Sequence, residues 1–273
     1  MILTKTESNS WVEASLNRID INVGFARAVA ENLVNGSLWI DRISAPRAMH
    51  ALHPYGMSLV WGDALDEVID PLASHLREGQ YRIKDEWLQI DPRWYTLDWD
   101  SLLGAVPAES EPDSGRRCPV RFSRVNFGFD QVRFVALHGA NVLPKEWNVR
   151  RATESDFDMA GSVVPKYFWR SAQQFLAHGG GWCIERDGTV GAIAFSSCRF
   201  DDELEIGIET LPIARRQGLG RMIATVMIKD IIDAGLTPVW SCRRENTASY
   251  ELALKLGFYV KKMLPYYWLP SMR

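Results

Sequence analysis

Cysteine and histidine are scarce in this 273-residue sequence, which has four of the first and five of the second. Cys118, Cys183, Cys198 and Cys242 form no C-x-x-C pair, and their spacing matches no zinc module. They are expected as buried or free thiols in a reducing compartment, which points to the cytoplasm. His50 and His53 come closest to a ligand pair, but no carboxylate or cysteine follows at a ligand spacing, so no metal is expected. No run reaches the ~18 uncharged apolar residues of a membrane span. No basic flank leads into an apolar run at the start, so no secretory signal and no membrane partner are expected. A basic excess is also missing. The net charge of −3 argues against a general nucleic-acid binder. Neither an internal repeat nor a low-complexity tract is visible in the sequence.

What is present reads as globular. The chain is 47% hydrophobic and 24% charged, and its length suits one large or two modest domains. Residues 103–119 are rich in proline, glycine, serine and charge, and read as a linker. A second break at 138–145 places the expected boundary between an N-terminal α/β domain, 1–144, and a second domain, 145–273. The first domain carries helical spacing over 8–35, strands near 37–41 and 55–61, and a helix over 64–77 capped by Asp63. Residues 120–137 alternate around Asn126-Phe127-Gly128 and read as a closing hairpin. Trp39, Trp61, Trp87, Trp94 and Trp99 suit either core packing or a binding face.

The second domain reads strand, two helices, three strands, helix, strand, helix, strand. Thr153 and Asp156 make a capping-box-like helix start, and a second helix covers about 166–177. Asp187-Gly188 is a hairpin turn signal. After a strand ending at Thr210 comes Arg215-Arg216-Gln217-Gly218-Leu219-Gly220, then a helix with Met222, Ile223, Val226, Met227 and Ile231 at helical spacing. A glycine-bearing loop opening into a helix offers unpaired amides and a partial positive charge, and Arg215, Arg216 and Arg221 add to it. Such a mouth favours a phosphate. The P-loop and the dinucleotide fingerprint are both absent.

The segment RRQGLG, with a strand before it and a helix after it, resembles the acetyl-CoA loop of the GNAT N-acetyltransferase superfamily. Asn246 to Phe258 is similar to that family's N-x-x-[AS]…K-L-G-F helix, and the element order agrees over about 147–268. The whole pattern resembles a subgroup in which an α/β domain precedes the transferase domain. The resemblance implies a mixed α/β fold whose central sheet splays, with acetyl-CoA as co-substrate and a small-molecule or protein amine as acceptor. It implies backbone amides of 216–221 on the pyrophosphate, free backbone groups near Glu209, Thr210 and Leu211 on the pantetheine arm, and cofactor contacts from Asn246 and Ser249. Asn246 suits a plain helix N-cap equally well.

Family members often use a glutamate of the fourth strand as base, so Glu203, Glu205 and Glu209 are the candidates. Leu204 occupies the usual position, and Glu203 or Glu205 requires a one-residue offset such as a bulge. The family's usual tyrosine acid falls at Ala253. Tyr250, Tyr266 and Tyr267 are the alternatives, or solvent protonates the thiolate. Phe168, Trp169, Tyr266, Tyr267 and Trp268 suit an acceptor wall or core. The N-terminal domain has two open roles, shaping the acceptor pocket or holding a homodimer. The competing readings are a non-catalytic CoA-binding module and a nucleotide-binding regulator.

Overall fold

A computed structural model describes residues 4–6, 10–110, 117–137 and 143–272. The chain is mixed α/β and divides into two compact units. Unit 1 comprises residues 1–125, 243–245 and 262–273; unit 2 comprises 126–242 and 246–261. The units part at 125/126, whereas the linker composition points to 144/145.

Unit 1 begins with β1 (Thr4–Thr6), α1 (Ser10–Leu16) and α2 (Gly24–Ala30), then three antiparallel strands, β2 (Ser37–Ile40), β3 (Met49–Leu52) and β4 (Met57–Trp61). Then come α3 (Ile69–Glu78), β5 (Glu86–Ile90) parallel to β4, α4 (Trp99–Leu103) and β6 (Val106–Pro107). β7 (Val120–Phe129) starts in unit 1 and ends in unit 2. Val60, Leu72, Leu76, Leu88 and Ile90 pack one core, with Trp39 and Trp99 inside it. Trp61 is fully buried as well, so these tryptophans serve packing.

A buried polar network crosses this core. Glu86 accepts from His50 Nε2 at 2.9 Å, from the Tyr81 hydroxyl at 2.9 Å and from Arg82 Nε at 2.9 Å. His50 Nδ1 lies 3.1 Å from His75 Nε2. His53 Nδ1 accepts from the Tyr55 amide. The two histidines of the HALH segment are thus committed to separate hydrogen bonds. Among the described residues no group of three or more His, Cys, Asp or Glu is set to hold a metal.

Unit 2 contains α5 (Gln131–Leu137), β8 (Asn148–Arg151), α6 (Ala172–His178), β9 (Gly181–Arg186), β10 (Thr189–Phe200), β11 (Glu203–Thr210), α7 (Leu219–Asp233) and β12 (Thr237–Val239). β13 (Ser241–Arg243), α8 (Thr247–Lys255) and β14 (Phe258–Leu269) follow. Its sheet runs β12-β11-β10-β9-β8, with β12 parallel to β11 and the other pairs antiparallel. Phe195 anchors one face, with Phe168 and Phe175 edge-on to its ring. Full burial of such a side chain stabilises by ~1.5–3 kcal/mol. α7 covers the other face through Ile223, Met227 and Ile231. The Asp187-Gly188 turn has positive φ at both residues, as a two-residue hairpin of type I′ requires.

The two units repeat one order: strand, helical segment, three antiparallel strands, helix, parallel strand, helix. No sequence periodicity announces this, because the constraint is on pattern and length rather than on residue identity.

Several sequence expectations are corrected. The hairpin over 120–137 is one ten-residue strand followed by α5. Gly128 lies within this strand and leaves room for the Tyr259 ring, which would stand 2.4 Å from a Cβ there. Helical spacing over 8–35 resolves into two short helices. The helix expected from residue 64 starts at Ile69, and Asp63 pairs with Arg18 and Arg93 instead of capping it. Thr153 and Asp156 do form a capping box, but on a single 3-10 turn. The 166–177 helix shortens to α6, capped by Ser171. Within 103–119, Val106 and Pro107 pair with Val120 and Arg121, while 111–116 lie outside the described residues, as do 138–142 of the second break.

Candidate active site

The site of interest in unit 2 is where β11 and β12 part. Their pairing covers only Glu203 to Glu205 against Thr237 to Val239. β11 continues to Thr210, while the chain beyond β12 turns away, with the Trp240 carbonyl accepting from the Phe127 amide at 3.2 Å. A wedge therefore opens beyond Glu205.

The amide of Leu211 donates to the Gly191 carbonyl at 2.9 Å. Antiparallel alternation then directs Glu209 and Gly207 to β10 and turns Ile208 and Thr210 toward the wedge. The backbone groups on the splayed edge are thus those of Ile208 and Thr210, in place of the expected Glu209 and Leu211.

The loop at the wedge is built for amide exposure. A 3-10 turn at Pro212–Ala214 is followed by Arg216 at φ 62° and Gly218 at φ 77°, the N-cap of the 15-residue α7. Left-handed backbone suits glycine, and the position of a Cβ on Gly218 meets no atom within 4 Å. Among the described residues, the amides of Arg216 through Arg221 meet no acceptor. These are donors of the kind a helix start leaves unsatisfied, aligned with its positive end. Gly220 brings the first turn against β11, since a Cβ there would stand 3.0 Å from Thr210 Oγ1. Arg216 is exposed. Arg215 Nε donates to the Thr210 carbonyl at 3.0 Å, Gln217 to the Ile213 carbonyl at 3.2 Å, and Arg221 to the Leu137 carbonyl at 2.9 Å.

The three glutamates have different surroundings. Glu203 is exposed at the closed end of the β11–β12 pair. Glu205 is buried at the point where pairing ends. Its Oε1 accepts from Ser241 Oγ at 2.8 Å and its Oε2 from the Cys198 thiol at 3.2 Å. Burial, and then the Glu205 charge, push the Cys198 thiol well above its ordinary range, so it stays a donor. The neighbouring strand β10 has a bulge between Ser196 and Cys198, and the Ser197 hydroxyl donates to the Glu205 carbonyl at 3.1 Å. Glu209 Oε2 accepts from the amides of Ser162 and Val163 at 2.8 and 2.9 Å.

On α8, Asn246 caps the helix through the Ser249 amide, and the Ser249 hydroxyl accepts from the Trp240 indole at 3.1 Å. Tyr250 is half-buried with its ring centroid 5.7 Å from that of Phe127, and Ala253 is fully buried. Phe168 is core, and the Trp169 indole donates to the Ser196 carbonyl at 2.7 Å. Tyr266, Tyr267 and Trp268 belong to unit 1. Burial pushes the Tyr266 phenol up to about 12, and Tyr267 donates to Asp100 at 3.0 Å. Sequence reasoning missed Ser241, Cys198 and the 161–163 turn. The consecutive serines at 196 and 197, which break the alternation of β10, are the one local signal of the bulge.

A family model described as GNAT acetyltransferase matches residues 22–267. A GCN5-related N-acetyltransferase-like protein of Streptococcus suis is 21% identical, with 94% of this chain and 98% of that chain covered and a TM-score of 0.66. A GNAT-family acetyltransferase of Colwellia psychrerythraea is 11% identical, with coverage of 99% and 100% and a TM-score of 0.58. A tandem GNAT protein from the clavulanic acid biosynthesis pathway is 10% identical, with coverage of 99% and 98% and a TM-score of 0.59. At these identities the solved structures show a shared fold. No curated protein matches the sequence. With a family model spanning most of its length, the chain belongs to the GNAT acetyltransferase family and is an N-acetyltransferase enzyme.

Proposed function

We propose that unit 2 binds acetyl-CoA in the wedge between β11 and β12 and transfers its acetyl group to a primary amine. The observation that carries this reading is the row of acceptor-free amides from Arg216 to Arg221 at the mouth of α7, beside the unpaired end of β11. The pyrophosphate fits those amides, with Arg216 in reserve on the solvent side. The pantetheine arm fits the edge of Ile208 and Thr210, as an added strand would. The co-substrate supplies a thioester carbonyl for the amine to attack.

Glu205 takes the base role. It stands where the wedge opens, and two donors fix its carboxylate, so it can receive the amine's proton without a change of rotamer. Glu209 is tied to the 161–163 turn through two backbone amides, which suits it to a positioning role, and Glu203 lies at the closed end. Ala253 offers no proton, which leaves Tyr250 or solvent to protonate the departing thiolate. The four free thiols fit a reducing compartment. Among the described residues no helix is long and apolar enough to cross a membrane.

The test is calorimetry with acetyl-CoA followed by thiol release on an amine panel. Binding with turnover is expected. Gly218→Asp is expected to abolish binding by placing a carboxylate at the anion mouth. Wild-type affinity in that variant rejects the loop assignment, and binding without turnover on any amine rejects the transferase reading in favour of a CoA-binding module.

A further inference from the structure

We infer that Glu209 is a positioning residue, a joint through which the anion loop and the turn at 161–163 hold one another in place. The inference rests on the reading above for the identity of the anion, and on geometry for the joint itself. One carboxylate serves two pieces of chain. Its Oε2 accepts from the Ser162 and Val163 amides at 2.8 and 2.9 Å. Its Oε1 lies 3.8 Å from Arg215 Nη2, and the same guanidinium donates through Nε to the Thr210 carbonyl at 3.0 Å.

The turn is shaped for this contact. Gly161 has φ 152°, and a Cβ on it would stand 2.7 Å from Val164 Cγ1 and 3.0 Å from Glu209 Cγ. Only glycine lets the turn come this close in that conformation. Val164, fully buried, pins the far end. The side chain of Glu209 is itself nearly buried, so its hydrogen bonds are shielded from competing water.

Glu209 also sits on the stretch of β11 beyond its pairing with β12, four residues past Glu205 and on the same face of the strand. The turn it holds therefore borders the wedge on the face that carries the base. Arg215 belongs to the loop that meets the pyrophosphate. When an anion fills that loop and draws on the Arg215 charge, the partner that feels the change is Glu209, and through it the amides of Ser162 and Val163. Occupancy of the anion loop is thereby reported to the turn that packs on Glu209.

Hydrogen exchange on the intact protein tests this, with Glu209→Ala and Glu209→Gln beside the wild type. A glutamine keeps an oxygen for the two amides and loses the charge. In the absence of ligand, exchange across 158–168 is expected to rise about tenfold in Glu209→Ala and to stay within about twofold of wild type in Glu209→Gln. Acetyl-CoA is expected to slow exchange at 161–163 in the wild type and not in Glu209→Ala.

Thiol release with an amine panel separates this role from that of a base. Rescue of activity by Glu209→Gln supports positioning. Equal loss in both variants with unchanged exchange overturns it, as does unchanged exchange in Glu209→Ala. If acetyl-CoA fails to bind the wild type at all, the functional reading falls, and the ligand-free comparison still decides whether Glu209 holds the turn.

Discussion

Ser241 donates its hydroxyl to Oε1 of Glu205 at 2.8 Å, across the point where β11 and β12 cease to pair. A residue on the departing chain thus steadies a carboxylate on the strand it leaves. Glu205→Gln is expected to lower kcat by ~10²–10⁴ while leaving acetyl-CoA affinity within about twofold. Ser241→Ala, which removes one donor and leaves the Cys198 thiol on Oε2, is expected to cost far less, about tenfold. Steady-state kinetics checks both, and a Glu205→Gln variant that keeps wild-type kcat assigns the base elsewhere.

One acetyl-CoA per chain is expected, although the element order occurs twice. In unit 1 the register runs from Met57 against Trp87 to Val60 against Ile90, and the Asp91 amide still reaches the Val60 carbonyl at 2.9 Å. β4 therefore has no unpaired end to receive a pantetheine arm. The turn and helix that follow carry Asp66, Glu67 and Asp70, which repel phosphate where unit 2 offers glycine and arginine. Calorimetry reads the stoichiometry directly, and a value of two would contradict the closed cleft.

Acid is expected to destabilise the protein well above the carboxylate range. Burial, then the Lys84 charge, hold His53 down to about 3; burial, then His50, do the same for His75. The unfolded chain takes up protons below about pH 6.5 that the folded chain refuses. Stability is therefore full above 6.5 and falls as pH drops toward 3, by ~1.4 kcal/mol per pH unit for the fully buried His53. Glu86 adds a second loss between 4.5 and 2. Burial pushes its carboxyl up, but the His50 hydrogen bond and the Arg82 charge outweigh burial and hold it at about 2. Thermal melts from pH 8 to 4 should show the slope beginning near 6.5, and His53→Asn should make it shallower. An unaltered slope in that variant removes His53 from the account.

Gly257→Ala is expected to destabilise unit 2 by ~2 kcal/mol or more. The backbone there has φ 86°, and a Cβ would stand 2.7 Å from the backbone N and Cα of Phe134, atoms that cannot swing aside. Urea denaturation gives the value. A loss below about 0.5 kcal/mol would show that α5 shifts to make room.

The glycine loop, α7 and the Asp187-Gly188 hairpin were legible in the sequence because each rests on local chemistry: positive φ, helical spacing, a cap. The surroundings of Glu205 were not. They depend on a bulge in the adjacent strand and on Ser241, 36 residues away. The expected hairpin at Asn126-Phe127-Gly128 failed for a related reason. Those residues are good turn formers, but they run inside β7, where Gly128 leaves room for the ring of Tyr259, distant in sequence. His50 of HALH likewise drew its partners, Glu86 and His75, from elsewhere in unit 1, whereas His53 bonds the nearby Tyr55 amide.

The last residues of β14 complete the sheet of unit 1, with Tyr267, Trp268 and Leu269 antiparallel to Leu88, Trp87 and Glu86. Tyr267 and Leu269 also fill its core. Unit 1 is thus closed by a segment more than a hundred residues downstream, and β5 keeps an open edge until Tyr267 to Leu269 pair with it.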